Sequence, residues 1–86
     1  MKDLLIYVAR NLVNNPDEVN VTEVESEGGT ILELRVAPED VGKVIGRQGR
    51  IAREIRTLVR SVAQRSGKKV SVEIVDAGVI PVHRLQ

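Results

Sequence analysis

The feature that most limits the fold of this chain is a turn bracketed by glycines, Gly46-Arg47-Gln48-Gly49, which is followed at once by the longest amphipathic segment of the sequence. Glycine has no Cβ, so the backbone there can turn sharply and approach a partner closely. The apolar residues after the turn share the period of a helix and fall within about 140° of arc at about 100° per residue. They are Ile51, Ala52, Ile55, Leu58, Val59, Val62 and Ala63. The pattern predicts a helix over about 50–66 that buries most of this stripe and ends at Gly67.

The start of the chain predicts a shorter helix. Apolar residues at helical spacing run from Leu4 to Leu12. The pair Asn15-Pro16 then ends the helix, because the residue before a proline avoids the α region. We therefore expect a helix over about 2–14.

Two short segments come next and predict a β-hairpin. Residues 19–25 and 31–36 are rich in β-branched or alternating apolar side chains, and Gly28-Gly29 between them is a turn signal. The apolar positions of the first segment change phase between Val21 and Val24, which leaves room for a β-bulge.

The remaining patterns complete the fold prediction. A helix over about 39–45 begins after Pro38 and precedes the glycine turn, and alternation over 70–75 predicts a third strand. The order is therefore α-β-β-α-α-β, in which three helices can cover one face of a three-stranded sheet as a two-layer α+β domain. We expect this domain to span residues 1–76 and residues 77–86 to form an extended or disordered C-terminal tail.

Charge is divided unevenly along the sequence. The whole chain has a formal net charge of +1, but residues 1–41 carry three basic and nine acidic side chains, a net charge of −6. Residues 42–69 carry nine basic side chains against Glu54 alone, a net charge of +8. The basic residues of this block are Lys43, Arg47, Arg50, Arg53, Arg56, Arg60, Arg65, Lys68 and Lys69. A concentrated basic segment beside a glycine turn and a helix N-terminus is typical of a site for a nucleic-acid backbone.

Composition argues against several other classes of function. Tyr7 is the only aromatic residue, which disfavours RNA binding by stacking on aromatic side chains. The chain has no cysteine and a single histidine, His83, so we expect no metal site, no cofactor and no catalysis on a small-molecule substrate. No apolar run approaches the roughly 20 residues of a membrane span, and the sequence has no pattern of a secretory signal. We therefore expect a cytoplasmic protein that does not bind membranes.

Three segments of the chain together resemble the KH domain family. They are residues 15–19, residues 33–40 and the most specific one, Gly42-Lys43-Val44-Ile45-Gly46-Arg47-Gln48-Gly49-Arg50, which is followed by the apolar residues Ala52 and Ile55. The predicted order of elements is similar to that of type II, prokaryotic KH domains. Within that group the chain resembles the small bacterial single-KH proteins of the KhpA family, over residues 1–76.

The resemblance implies a module that binds single-stranded RNA. In such domains a Gly-x-x-G loop clamps the backbone of about four nucleotides, and the bases lie in an apolar groove between the flanking helices and a sheet edge. The RNA-binding residues that the resemblance implies here are Lys43, Val44, Ile45, Gly46, Arg47, Gln48, Gly49, Arg50 and Arg53. It also implies Ala52 and Ile55, with Leu34 or Val36 from the sheet, as residues that line the groove or its floor.

The sequence leaves two interpretations open for the other basic residues. Arg56 and Arg60 belong either to an ordinary solvated helix face or to the RNA surface. Lys68 and Lys69 either keep a strand soluble or contact RNA.

The resemblance also implies partners. Members of the family pair with a second copy or with a larger KH-containing bacterial protein of the Jag/KhpB type, and they are associated with RNA chaperoning, ribosome-related steps and control of cell shape. A homodimer or such a heterodimer is therefore implied here. Two alternative functions stay open: a KH-fold scaffold for dimerisation or partner binding with weak RNA affinity, and duplex DNA binding with residues 50–66 as the recognition helix of a helix-turn-helix.

Overall fold

The computed structural model describes residues 1–76 and 80–81. Its helices are α1 (Lys2–Arg10), α2 (Val41–Ile45) and α3 (Arg50–Arg65), and its strands are β1 (Asn20–Ser26), β2 (Gly29–Arg35), β3 (Val70–Asp76) and β4 (Ile80–Pro81). Short 3-10 helices span Pro16–Glu18, Pro38–Asp40 and Arg47–Gly49. The predicted order α-β-β-α-α-β is confirmed, and α3 and β3 lie within a residue of their predicted bounds.

The strands form one mixed sheet in the order β1-β2-β3-β4. β1 and β2 are an antiparallel hairpin, whereas β2 and β3 are parallel. A parallel pair needs a crossover connection, and the chain between β2 and β3 supplies it with α2 and α3. The three predicted strands therefore form the sheet expected of a type II KH fold.

One short strand was not predicted from the sequence. β4 pairs antiparallel with the end of β3, with Pro81 opposite Val75. The prediction of an extended or disordered tail over 77–86 otherwise concerns residues 77–79 and 82–86, which lie outside the described residues.

The helices cover one face of the sheet, and the core lies between the two layers. Leu32 and Leu34 of β2 and Ile74 of β3 alternate along their strands and are completely or almost completely buried. The same cluster contains Leu5 and Ala9 of α1, Val44 and Ile45 of α2, and Ala52, Ile55 and Val59 of α3. Burial of one large aliphatic side chain contributes about 1.5–3 kcal/mol, so this cluster fixes the position of the short helix α2 and of the turn that follows it.

Helix α1 ends at Arg10, earlier than the predicted residue 14. The cause is a tertiary contact that periodicity does not reveal. The backbone N–H groups of Asn14 and Asn15 donate to the carboxylate of Asp40, at 3.2 and 2.9 Å, instead of to helical carbonyl oxygens. The side chain of Asn11 caps the shortened helix by donating to the Tyr7 carbonyl at 2.8 Å.

Strand β1 has no bulge. Its pairing with β2 runs without interruption from Asn20, opposite Arg35, to Ser26, opposite Gly29. Val24 therefore lies on the face of the sheet away from the helices, where 37% of its surface is exposed. The change of phase in the sequence marks an apolar residue on the open face rather than an extra residue in the strand.

Within residues 1–76 and 80–81, none of the helices combines the length and the apolar character that crossing a bilayer requires.

Candidate nucleic-acid interface

The glycine turn forms a closed loop between α2 and α3. The Gly49 N–H donates to the Gly46 carbonyl oxygen at 3.2 Å, and the Gly46 N–H donates to the Gly42 carbonyl oxygen at 2.9 Å. Gln48, at the exposed tip, has a φ of 58° and a ψ of 26°. Such a left-handed conformation is uncommon for a residue with a Cβ, so the tip of the loop holds backbone strain.

Gly46 has two reasons to be glycine. Its φ of 76° and ψ of 176° fall in a region that essentially only glycine occupies. In addition, a Cβ on Gly46 would lie 2.6 Å from Cγ1 of Ile51, the second residue of α3. The loop can therefore pack against the start of α3 only because residue 46 has no side chain.

The polar residues of the predicted site come together on the surface. Lys43, Arg47, Gln48, Arg50 and Arg53 are all exposed. A concavity of about 420 Å³ opens beside the loop and is lined by Arg47, Gln48, Arg50 and Ile51. This concavity is a basic surface next to exposed backbone, which suits a phosphodiester chain.

The apolar residues of the predicted site lie beneath the loop. Val44 has no exposed surface, Ile45 is 7% exposed, and Gly49 is buried. The further groove residues implied from the sequence, Ala52, Ile55, Leu34 and Val36, also belong to the core cluster. These side chains support the loop from below, and Ile51 is the apolar residue that lines the concavity itself.

The N-terminus of α3 adds to the positive field of the loop. Gly49 is its N-cap, so no side chain caps the first backbone N–H groups, and the first turn contains no acidic residue. The uncapped N–H groups and the positive end of the helix dipole favour an anion at this point. Arg47 and Arg50, on either side of Gly49, place side-chain charge there as well.

The position of the loop depends on a buried carboxylate, Asp40, which lies directly before α2. Asp40 has no exposed surface. Its carboxylate accepts hydrogen bonds from the N–H of Asn14, the N–H of Asn15 and the Nδ2 of Asn15. These bonds join the segment after α1 to the beginning of α2. The sequence gives no periodic signal for a contact across this separation.

Two opposing effects act on the pKa of Asp40. Burial raises the pKa of the carboxyl, because the charged form loses hydration. The hydrogen bonds from the Asn15 side chain and from the two backbone N–H groups, with the charge of Lys43, lower the pKa and prevail. The pKa of Asp40 is therefore below its ordinary value, and the residue is a carboxylate at neutral pH.

A second surface, apolar rather than basic, lies between α1 and α3. A groove of about 260 Å³ is lined by Val8, Leu12, Ile51, Glu54, Ile55 and Leu58. Leu58 is 42% exposed and Val62, one turn further along α3, is 36% exposed. The sequence predicted that most of the α3 stripe is core, and Ala52, Ile55, Val59 and Ala63 are indeed buried. Leu58 and Val62 are the exposed members of the stripe and continue the groove on the surface; we call these two residues and the groove the α1–α3 apolar surface.

Among the residues that the structure describes, no three His, Asp or Glu side chains come together in a group that could hold a metal ion. His83 lies outside the described residues.

Comparison with known proteins supports the interpretation of the loop. A family model described as "KhpA/KhpB, KH domain" matches residues 2–74. The chain belongs to this family of KH domains. The family match ends before β4, so β4 and the remaining C-terminal residues lie beyond it.

Several KhpA proteins match most of the chain. The RNA-binding protein KhpA of Clostridium acetobutylicum is 57% identical over 75 residues, which are 87% of this chain and 100% of the relative. The protein of the same name from Treponema pallidum is 53% identical over 75 residues, 87% of this chain and 94% of the relative. That from Aquifex aeolicus is 47% identical over 76 residues, 88% of this chain and 96% of the relative. The family expected from the sequence is confirmed.

Proposed function

We propose that this protein binds single-stranded RNA by holding its sugar-phosphate backbone against the loop 46–49. The observation that carries the proposal is an exposed basic loop at the uncapped N-terminus of α3. Backbone N–H groups, a helix dipole and side-chain charge act there on the same point in space. The KhpA relatives are named RNA-binding proteins, which supports the same class of ligand.

The residues of the site have different roles. Arg47, Arg50 and Gln48 line the concavity and contact the backbone, while Lys43 and Arg53 add charge at its rim. The two glycines allow the loop to turn tightly, and Gly46 lets it pack against the start of α3. Val44 and Ile45 hold the loop in place through the core, and Ile51 is the apolar surface offered to a base.

Binding of this kind is weak and depends on salt. About four nucleotides occupy a KH loop, and each phosphate neutralised on a single strand contributes about −0.7 to the slope of log affinity against log salt. A transient, backbone-directed contact suits an RNA chaperone, which must release its RNA. We propose this role in the cytoplasm, without catalysis, for the present chain.

The double substitution Arg47→Asp and Gln48→Asp tests the clamp. Both residues are exposed, and aspartate adopts the left-handed conformation of residue 48 more readily than glutamine, so the fold is expected to remain. We expect fluorescence anisotropy to detect no binding of a labelled single-stranded RNA by the variant. The pair Ser61→Asp and Arg65→Asp is the matched control, because it makes the same change in charge on exposed positions of α3 away from the loop.

Two results would contradict the proposal. One is RNA binding by the loop variant that equals that of the unchanged protein. The other is a preference for duplex DNA over single-stranded RNA in a competition experiment, which would favour the helix-turn-helix alternative.

A second proposal concerns partners, and the α1–α3 apolar surface favours it. Leu58 and Val62 are exposed next to an apolar groove, although burying them would stabilise so short a chain. We infer that this surface binds a second copy of the chain, with a larger KH protein of the KhpB type as a competing partner. Sedimentation over a dilution series tests it, and a monomer at tens of micromolar would contradict it.

A further inference from the structure

Helix α3 carries different chemistry on its two flanks. At about 100° per residue, Ile51, Leu58 and Val62 lie within about 40° of one another on one side of the buried stripe. Arg53, Arg56 and Arg60 lie within about 60° of one another on the other side. Arg53 and Arg60 are exposed, and Arg56 is half-buried between them. Three of the five arginines of α3 therefore lie on one flank, which we call the basic flank, and Arg50 and Arg65 lie elsewhere on its exposed surface.

The fold determines where each flank points. Ile51 and Leu58 line the groove together with Val8 and Leu12 of α1, so the apolar flank faces α1. Helix α1 packs on β1, whereas α3 packs on β3, beyond β2 in the sheet. The basic flank consequently faces away from α1 and towards the β3 side of the domain.

Two further basic residues follow the end of α3. Gly67 has a φ of 69°, its N–H donates to the Gln64 carbonyl oxygen at 3.0 Å, and the Lys68 N–H donates to the Ala63 carbonyl oxygen at 3.0 Å. This pair of bonds is a Schellman motif, which ends the helix and reverses the chain. Lys68 and Lys69 are exposed directly after it and lead into β3.

The basic flank extends well beyond the loop. Ten residues separate Arg50 from Arg60, which is about 15 Å along a helix. Over residues 42–69, Glu54 is the only acidic side chain. The exposed cations of this part of the chain, Arg53, Arg60, Lys68 and Lys69, produce a positive field that attracts a polyanion.

We propose that Arg60, Lys68 and Lys69 form a second phosphate-binding subsite for single-stranded RNA, reached from the loop 46–49 along Arg53. The RNA footprint is then longer than the roughly four nucleotides that the loop holds. This subsite rests on the proposed function, because it would bind the same RNA strand at the point where that strand leaves the loop. It contacts phosphates only, so it adds affinity and salt dependence without base preference.

The test measures the binding of two RNA lengths by the unchanged protein and by a variant that lacks the three charges of the second subsite. Anisotropy titrations over a series of salt concentrations use a uridine tetranucleotide and a uridine oligomer about three times as long. In the triple variant Arg60→Gln, Lys68→Gln, Lys69→Gln, we expect several-fold weaker binding of the longer RNA and a salt slope smaller by about 0.7 for each lost phosphate contact. Binding of the tetranucleotide is expected to stay the same. Circular dichroism checks that the variant is folded.

A single pair of variants serves as the internal control. Arg60 and Arg65 are exposed arginines of the same helix, but Arg65 lies about 140° away, outside the basic flank. Arg60→Gln should weaken binding of the longer RNA and Arg65→Gln should not. Equal losses for the two, or an unchanged salt slope in the triple variant, would overturn the second subsite.

The variant with Arg47→Asp and Gln48→Asp distinguishes a failure of the second subsite from a failure of the loop clamp. If Arg47→Asp with Gln48→Asp removes tetranucleotide binding while the triple variant behaves as the unchanged protein with both RNAs, only the second subsite is wrong. If the loop variant binds both RNAs normally, the loop clamp itself is wrong.

Discussion

At the scale of single residues, Gly46 offers the sharpest test of the loop geometry. The substitution Gly46→Ala forces a side chain into a backbone conformation that essentially only glycine adopts, at a cost of about 1–3 kcal/mol. It also brings the new Cβ within 2.6 Å of Ile51. We expect a loss of at least about 1–3 kcal/mol in the free energy of unfolding, measured by urea denaturation.

Gly42→Ala is the matched control for this measurement. Gly42 lies in α2, and a Cβ added there would meet nothing within 4 Å. Alanine is favoured over glycine within a helix by up to about 1 kcal/mol, so this variant should be as stable as the unchanged protein or more stable. A Gly46→Ala variant as stable as Gly42→Ala would show that the loop is not held against Ile51.

At the scale of secondary-structure elements, sequence periodicity predicted those parts whose pattern depends on local structure. The apolar stripe of α3 and the alternation in β2 and β3 predicted their bounds, because burial against one layer imposes a period of 3.6 or 2. Periodicity shows which side of a helix is apolar, but it does not show how much of that side the neighbouring helices and strands bury. This is why the sequence did not distinguish Leu58 and Val62, which are exposed, from the buried members of the stripe. A two-residue strand such as β4 is too short to have a pattern.

The candidate site was predictable to a similar extent. Charge and the glycine spacing were enough to select Arg47 and Arg50, which are exposed, as candidate RNA-binding residues. The burial of Val44 was not predictable in this way, because it depends on how α2 packs in the core. The role of Asp40 was not predictable, because its partners are distant in the sequence and have no pattern of their own.

The hydrogen bonds of Asp40 join α2 to the segment after α1, and their contribution to the stability of the fold should depend on pH. The pKa of this carboxyl is lowered in the folded state, so the unfolded chain, with a pKa of about 3.9, binds the proton more tightly. The carboxylate thus stabilises the fold at pH values above about 4, and this contribution is lost as the pH falls further through the lowered pKa. We expect Asp40→Asn to lower the midpoint of thermal unfolding at pH 7, and the difference from the unchanged protein to shrink below pH about 4.

Asp17→Asn is the control for this pH series, because Asp17 is an exposed acidic residue close to the same segment. It should leave the unfolding midpoint nearly unchanged at every pH. A difference between Asp40→Asn and the unchanged protein that persists undiminished in acid would contradict the assignment of the effect to the carboxylate charge.

At the scale of the whole molecule, α3 separates two kinds of contact. Its apolar flank faces α1 and its basic flank faces the β3 side, so the surfaces proposed for a second copy of the chain and for RNA lie on different sides of the helix and meet at Ile51, which lines both. A dimer joined through the α1–α3 apolar surface would carry two RNA sites. Two linked sites raise the affinity for an RNA that spans both, because the second binding event becomes intramolecular.

Leu58→Asp tests this arrangement, since it places a charge on the exposed apolar flank without disturbing a buried residue. We expect a monomer in sedimentation at concentrations where the unchanged protein is a dimer, because burying an unpaired carboxylate in an apolar interface is costly. The variant should bind a tetranucleotide normally but lose affinity for an RNA long enough to reach two sites. Ser61→Asp adds the same charge to an exposed polar position of the same helix, beside Val62 in the sequence but about 100° around the helix from it, and should keep the dimer. If Leu58→Asp weakens tetranucleotide binding while Ser61→Asp does not, the two flanks of α3 are coupled and the separation of partner and RNA surfaces is wrong.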